Sequence, residues 1–405
     1  MVKQQKFDLR GQAFKRDPMP TFAAMRAAGP VVPSKIPLLG KVSFATTFTA
    51  AESLLKDKER FIVDPRGIGD NPPSRVPWWF PKRFRPLTES MLGMDDPDHR
   101  RLRRLVDRAF HQRNIESYRA MIQDVADRMI EEAAASDDGD LIRHVARPIP
   151  LVIISELLGL PNEDRPQLIR WMAGISTVSS VLGAFRMLPA LQKLSDYLKR
   201  HFEMRRIDPR DDLISALVAV EEEGDQLSED ELLAMCFILF VAGHETTTHL
   251  ISGGVLALLQ HPDQLAWLRA DPALMPSAVD ELLRFVSPVQ MSKPRYSVET
   301  TSLDGVDLQK GQRLMALLAS ANADPDAFEK PEQLDLGRTP NRHLAFGQGP
   351  HLCLGLQLAR AEMAIVLERL LQRYPELKLA IGEEKLGWTK RIGLRALKAL
   401  PVRNA

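Results

Sequence analysis

Cysteine is nearly absent from this chain, with two in 405 residues. Two thiols make neither a disulfide framework nor a zinc cluster, and their scarcity fits a reducing compartment such as the cytoplasm. An excess of one charge is also lacking: 54 Lys and Arg stand against 53 Asp and Glu, for a formal net charge of +1. Nothing in that balance calls for a nucleic-acid partner. The longest apolar run, residues 232–242, falls well short of the roughly 20 residues a membrane span needs. Residues 1–16 are polar and charged, without the apolar stretch of a signal peptide or anchor. Linkers, single-sign charge runs and repeats are missing too, so a single domain over 1–405 is expected despite the length. There is no strand-linked Gly-x-Gly-x-x-Gly for a dinucleotide and no cysteine set for an iron–sulfur cluster.

What is present is helical periodicity. It predicts helices over 98–110, 117–135, 151–158, 191–206, 211–223, 228–259, 277–286 and 354–374. Short strands are expected at 41–48, 296–303 and 313–317, with a C-terminal hairpin within 377–402. The fold class is therefore mainly α with a minor β-sheet part. Residues 64–94, rich in Pro and aromatics, have no period and read as a long functional loop.

The densest signal is Phe346-Gly347-Gln348-Gly349-Pro350-His351-Leu352-Cys353-Leu354-Gly355. Glycines let the backbone pass close to a flat ligand, and the following helix points its positive end at the sulfur, favouring a thiolate. The other thiol, Cys236, lies among apolar neighbours and reads as core. A second signal lies in the predicted helix 228–259, opened by a Ser228/Glu231 capping box and closed by His261-Pro262. After an apolar stretch come Ala242-Gly243-His244-Glu245-Thr246-Thr247-Thr248-His249. Burying a carboxylate and hydroxyls there costs several kcal/mol unless they are paired or wetted. Either they serve chemistry, or the hydroxyls bond back to helix carbonyls. His244 and His249 read as core or rim residues, since neither has a second ligand at metal spacing.

The cysteine loop resembles the signature of the cytochrome P450 superfamily, soluble bacterial type, and the resemblance runs from about residue 30 to 402. It implies a single-domain fold with a long central helix over the haem and the cysteine loop beneath it. It implies haem b, with Cys353 as the iron ligand and Phe346, Gly347, Gly355 and Ala242 beside the cofactor. His99, Arg103, Arg295 and His351 match propionate ligands; for Arg295 a solvated strand-edge charge is the alternative. Ala242-Gly243 resembles the oxygen groove, and Glu245 with Thr246 the proton relay. Glu281-x-x-Arg284 matches the family's helix K pair, with Arg338 as its third member. By itself that spacing is weak, because Glu116/Arg119 and Glu203/Arg206 repeat it.

The implied activity is a monooxygenase using O2 and electrons from a ferredoxin and its NAD(P)H-dependent reductase, acting on a small hydrophobic substrate as a monomer free of membranes. A peroxide-driven peroxygenase and a non-catalytic haem sensor or carrier are the alternatives, and the Glu245/Thr246 pair argues against both. By analogy the pocket takes in Trp78, Trp79, Phe80, Phe84, residues 175–188 and 289–292, and Ile392. Arg66, Arg75, Lys82, Arg83 and Arg85 suit an acidic substrate or are solvated loop charges. Arg100, Arg101, Arg104 and Arg108 face outward with little but Asp107 to pair them. That face is either solvated or a dock for an acidic electron carrier.

Overall fold

The computed structural model describes residues 7–36, 40–69, 81–85, 87, 89–111, 115–176, 181–222 and 224–404. Two units emerge from its contacts: Met1–Pro73 with Ile130–Ala146 and Thr246–Ala405, and Ser74–Met129 with Arg147–Glu245.

The first unit holds the main sheet. Val31–Ile36 pairs antiparallel with Gly40–Ala45, which runs parallel to Arg313–Ala316; Arg295–Ser297 and then Phe61–Ile62 continue it antiparallel. The expected strand 41–48 ends at Ala45 because Thr47 caps a helix, its side chain accepting from the Ala50 N–H at 3.2 Å. That helix, Phe48–Lys56, buries Ala50, Ala51, Leu54 and Leu55 against Leu314, Leu318 and Leu344. The expected strand 296–303 is two, Arg295–Ser297 and Thr301–Leu303, the second forming a hairpin with Val306–Leu308. The C-terminal hairpin joins Leu377–Leu379 to Val402–Asn404.

Three helices of this unit matter for the site: Met275–Val286, Leu356–Arg373, and the part of Glu229–Gln260 that begins at Thr246. They pack closely. A Cβ on Gly253 would lie 2.5 Å from Val286 Cγ1, and one on Gly254 would lie 2.5 Å from the tip of Met363. Glycine at 253 is the stricter requirement, since the Val286 side chain is stiff and that of Met363 is not.

On the Leu356–Arg373 helix, Glu362 is 3% exposed, its Oε2 has no hydrogen-bond partner, and burial lifts its pKa to about 8. The folded chain therefore keeps a proton that the unfolded chain releases near 4.5. Stability from this site is full below the unfolded value and is lost as pH rises through the folded one. At about 1.4 kcal/mol per pKa unit, and allowing for water reaching the carboxyl, the loss from pH 5 to 8 is roughly 2–3 kcal/mol. Urea midpoints should fall over that interval in the wild type and stay nearly level in Glu362→Gln. Parallel pH profiles in the two proteins would rule this out.

Among its described residues the second unit is mainly helical, with a short antiparallel pairing of Glu221–Glu222 with Asp225–Gln226. Asp98–His111 buries Leu102, Leu105, Val106 and Ala109. Val181–Ile207 starts well before the expected residue 191 and carries Pro189 inside it. Leu213–Ala219 is shorter than the expected 211–223 because Asp212 caps it, accepting from Ser215 N–H at 2.7 Å. The same Asp212 forms a buried ion pair with Arg205, which donates to the Gly159 carbonyl at 2.7 Å.

Glu229–Gln260 continues from one unit into the other. Ser228 and Glu231 cap each other's backbone N–H groups at 2.8 and 3.3 Å, and the helix ends before His261 as expected. By length and composition it could cross a membrane, with a mean hydropathy of 1.2 over 18 residues; half of that window is buried in the molecule. Counting the run 232–242 alone understates it. Cys236 is fully buried within it and its thiol pKa is pushed far up by burial, so it is core as expected.

Candidate active site

The cysteine loop is held by backbone bonds of its own and by one side chain from outside it. Asn322 Oδ1 accepts from Leu344 N–H at 2.6 Å, Gly347 N–H donates to Leu344 O at 2.9 Å, and Cys353 N–H donates to Phe346 O at 3.0 Å. Gly347 and Gly349 have φ of +70° and +72°, where a side chain would be strained. At Gly349 a Cβ would also sit 2.4 Å from the Leu55 carbonyl oxygen. Cys353 is half-buried, three residues before the helix Leu356–Arg373, whose N-terminal dipole favours a negative sulfur. That helix begins two residues later than expected.

Arg295 meets this loop through the same carbonyl. It is 3% exposed and donates to Phe61 O at 3.0 Å and to Leu55 O at 3.2 Å. The solvated-edge alternative is thereby removed. His351, half-buried, lies in the short turn Gly349–His351. The first unit thus brings Cys353, His351, Phe346, Gly347, Gly355 and Arg295 together.

The same unit holds the carboxylate network. Glu281 and Arg284 are both 0% exposed and pair at 2.7 Å, while Arg338 Nε lies 3.1 Å from Glu281. Arg284 also donates to the carbonyls of Asn322 and Pro331 at 2.8 and 2.9 Å. Asn341 and the Asp335 N–H complete the shell of Glu281 at 3.0 and 3.1 Å. Arg338 is the third member, as the sequence led us to expect; Asn341 and Asn322 were missed. By contrast, Glu203/Arg206 is an exposed surface pair.

In the second unit, His99 is 4% exposed, with Nδ1 3.9 Å from Asp96 Oδ1, and it shares its helix face with buried Leu102 and Val106. Arg103, one turn on, lies 3.0 Å from Asp107. The outward basic face needs correction. Arg100 pairs with Asp96 at 2.7 Å, Arg101 pairs with Asp225 at 3.0 Å and with Glu231, and Asp107 belongs to Arg103. Asp225 and Glu231 come from distant parts of the chain, so sequence proximity could not reveal them, whereas Asp96 lies four residues before Arg100. Arg104 and Arg108 are exposed on the same helix.

On the long helix, Ala242 is exposed while Glu245 and Thr246 are half-buried. A Cβ on Gly243 would meet Ile154 at an ordinary 3.9 Å, so protein packing does not demand glycine there. His244 is buried, and burial followed by the Arg147 charge lowers its pKa to about 4, keeping it neutral. His249 is buried as well.

Among the pocket residues expected by analogy, Phe84 is buried. Val289 packs on the sheet core, and Ile392 packs on the cluster that includes Met291. Trp78, Trp79, Phe80 and Arg75 lie outside the described residues, as do residues 177–180 of the segment 175–188.

These residues fit a haem. Gly355 has φ of −88°, acceptable to any residue, and a Cβ there would meet no protein atom within 4 Å. Neither backbone nor protein packing asks for glycine at 355, but a flat group against the loop would. Among the described residues no cluster of three His, Cys, Asp or Glu could hold a metal. A haem would bring the remaining in-plane ligands of an iron held by Cys353.

The sequence model described as Cytochrome P450 matches residues 69–386. The chain belongs to the cytochrome P450 family. Cytochrome P450 monooxygenase PikC of Streptomyces venezuelae is 39% identical over 396 residues, 97% of this chain and 92% of that protein. Vitamin D(3) 25-hydroxylase of Pseudonocardia autotrophica is 39% identical over 402 residues, covering 98% and 96%. The solved structure of the bacillaene polyketide synthase cytochrome P450 PksS of Bacillus subtilis 168 superposes with a TM-score of 0.91 at 36% identity. It covers 98% of this chain and 100% of that one. This P450 is accordingly a haem-dependent oxidoreductase, a haem-thiolate monooxygenase of the bacterial type that works with a substrate, O2 and a redox partner. The peroxide-driven and non-catalytic alternatives are not favoured by these relatives.

Proposed function

We propose that the chain is one monooxygenase domain over 1–405 that binds haem b through Cys353 Sγ and acts in the cytoplasm. Haem iron bound by a thiolate supplies the activation of dioxygen that lets one oxygen atom enter a substrate C–H bond. The reading rests on one observation: a single half-buried thiol, in a loop closed by the Cys353–Phe346 backbone bond, stands before a helix N-terminus. Phe346, Gly347 and Gly355 let the cofactor lie against the backbone. His99, Arg103, Arg295 and His351 donate hydrogen bonds to its carboxylates, which are cation-seeking groups. Ala242 and Gly243 leave room on the helix for dioxygen, and the Glu245 carboxylate passes protons by way of the Thr246 hydroxyl.

Electrons come from a ferredoxin and its NAD(P)H-dependent reductase, since the chain carries no flavin or iron–sulfur motif of its own. The substrate is a hydrophobic molecule. Relatives named for polyketide biosynthesis and for vitamin D(3) point the same way. A ligand screen on the ferric protein, read by the haem spin-state shift, identifies its chemical class.

Thr246→Ala tests the relay. Substrate binding and NAD(P)H consumption should persist, product per NAD(P)H should drop about tenfold or more, and peroxide should accumulate. Product yield equal to wild type would remove Glu245 and Thr246 from proton delivery.

A further inference from the structure

Three side chains outside the Glu281 network converge on the cysteine loop from different elements. His343 precedes the loop, Asp280 sits on the helix Met275–Val286, and Arg360 sits one turn into the helix Leu356–Arg373. The His343 side chain is 4% exposed. Its Nδ1 accepts the Ala345 N–H at 3.3 Å, which assigns the ring proton to Nε2, and Nε2 faces Asp280 Oδ1 at 3.5 Å. Arg360 Nε donates to the same oxygen at 2.8 Å. Burial alone would raise the Asp280 pKa, but hydrogen bonds from His343 and Arg360 hold it below its usual value.

Phe346 links this group to the sulfur. Its ring centroid lies 6.0 Å from that of His343 and 5.2 Å from the Arg360 guanidinium carbon. Its carbonyl accepts the Cys353 N–H at 3.0 Å. The ring of Phe346 is thus held by two members of the network, while its backbone sets the approach of the cysteine.

We propose that His343, Asp280 and Arg360 are positioning residues that fix the cysteine loop and thereby keep the thiolate on the iron. The proposal depends on the reading of Cys353 as haem ligand. No member of the network needs to touch the cofactor. Its effect is on how easily the sulfur leaves or gains a proton when the loop moves, as second-layer partners do at other metal sites.

The test is the lifetime of the red-shifted ferrous carbon monoxide band in the haem-loaded protein. In His343→Ala and in Asp280→Asn the band should decay at least threefold faster than in wild type. The double variant should be no worse than the more affected single one, because both cut the same link. His343→Asn should recover part of the lifetime, since its Oδ1 can accept the Ala345 N–H where Nδ1 did. Asp280→Asn keeps size and shape, so it decides the matter if His343→Ala takes up no haem. Wild-type lifetimes in both single variants would overturn the network alone. Absence of the band in the wild type would instead overturn the Cys353 reading, and the network with it.

Discussion

With Cys353 exchanged for alanine, the ferrous protein under carbon monoxide should lose its red-shifted band completely, whatever haem it still retains. The size of the effect follows from the donor set. Cys236 is sealed in the core with its thiol pKa pushed far up, so no second thiolate can replace the first. The fold should survive the exchange. Cys353 is half-buried, and the bond that closes the loop, its N–H to Phe346 O, is backbone and survives the exchange. A urea midpoint close to wild type combined with a missing band is the expected pair of results. A persistent band would mean that another residue binds the iron, and every role assigned around the loop would have to be rebuilt.

Glu281→Ala should produce the largest loss of stability. The carboxylate is shared by Arg284 and Arg338 in a site with 0% exposure at Glu281 and Arg284. Removing it leaves two guanidinium groups without their counter-charge, at a cost of about 3–5 kcal/mol. Against a typical total of roughly 5–15 kcal/mol, this leaves much of the population unfolded or unable to keep haem. Glu281→Gln retains the acceptor oxygen and should lose less. Denaturant midpoints and haem content of the two variants decide the point; an alanine variant as stable as wild type would show that the network contributes nothing net.

How far the sequence foretold this molecule depends on the range of each interaction. The cysteine loop and the polar break in the long helix are local patterns, so both were readable. Glu281/Arg284 was readable only through its place in the order of segments, because the spacing itself also occurs at Glu203/Arg206. Helices Met19–Ala28, Arg165–Ser176 and Pro262–Ala270 escaped the periodicity reading: each is short, with Pro in its first turn. Val181–Ile207 was cut short because Pro189 mimics a helix boundary. Nothing local marks Asp225 and Glu231 as partners of Arg101, or His343 as a partner of Asp280. The polar segment at the start of the chain hid a further case. Phe14 and Lys15 are buried, and Lys15 Nζ donates to Gln290 Oε1 at 2.9 Å and to Leu394 O at 2.8 Å.

That contact joins positions 379 residues apart, and in the main sheet the strand Gly40–Ala45 finds its parallel neighbour only at Arg313–Ala316. During synthesis, which proceeds at roughly 5–20 residues per second, these early segments spend on the order of half a minute without partners. Val42, Phe44 and Phe61 would lie open for all of that time, beside a strand edge with nothing to pair it. Nascent chains of this protein are thus committed to a late, long-range closure of the kind that folds slowly and recruits chaperones.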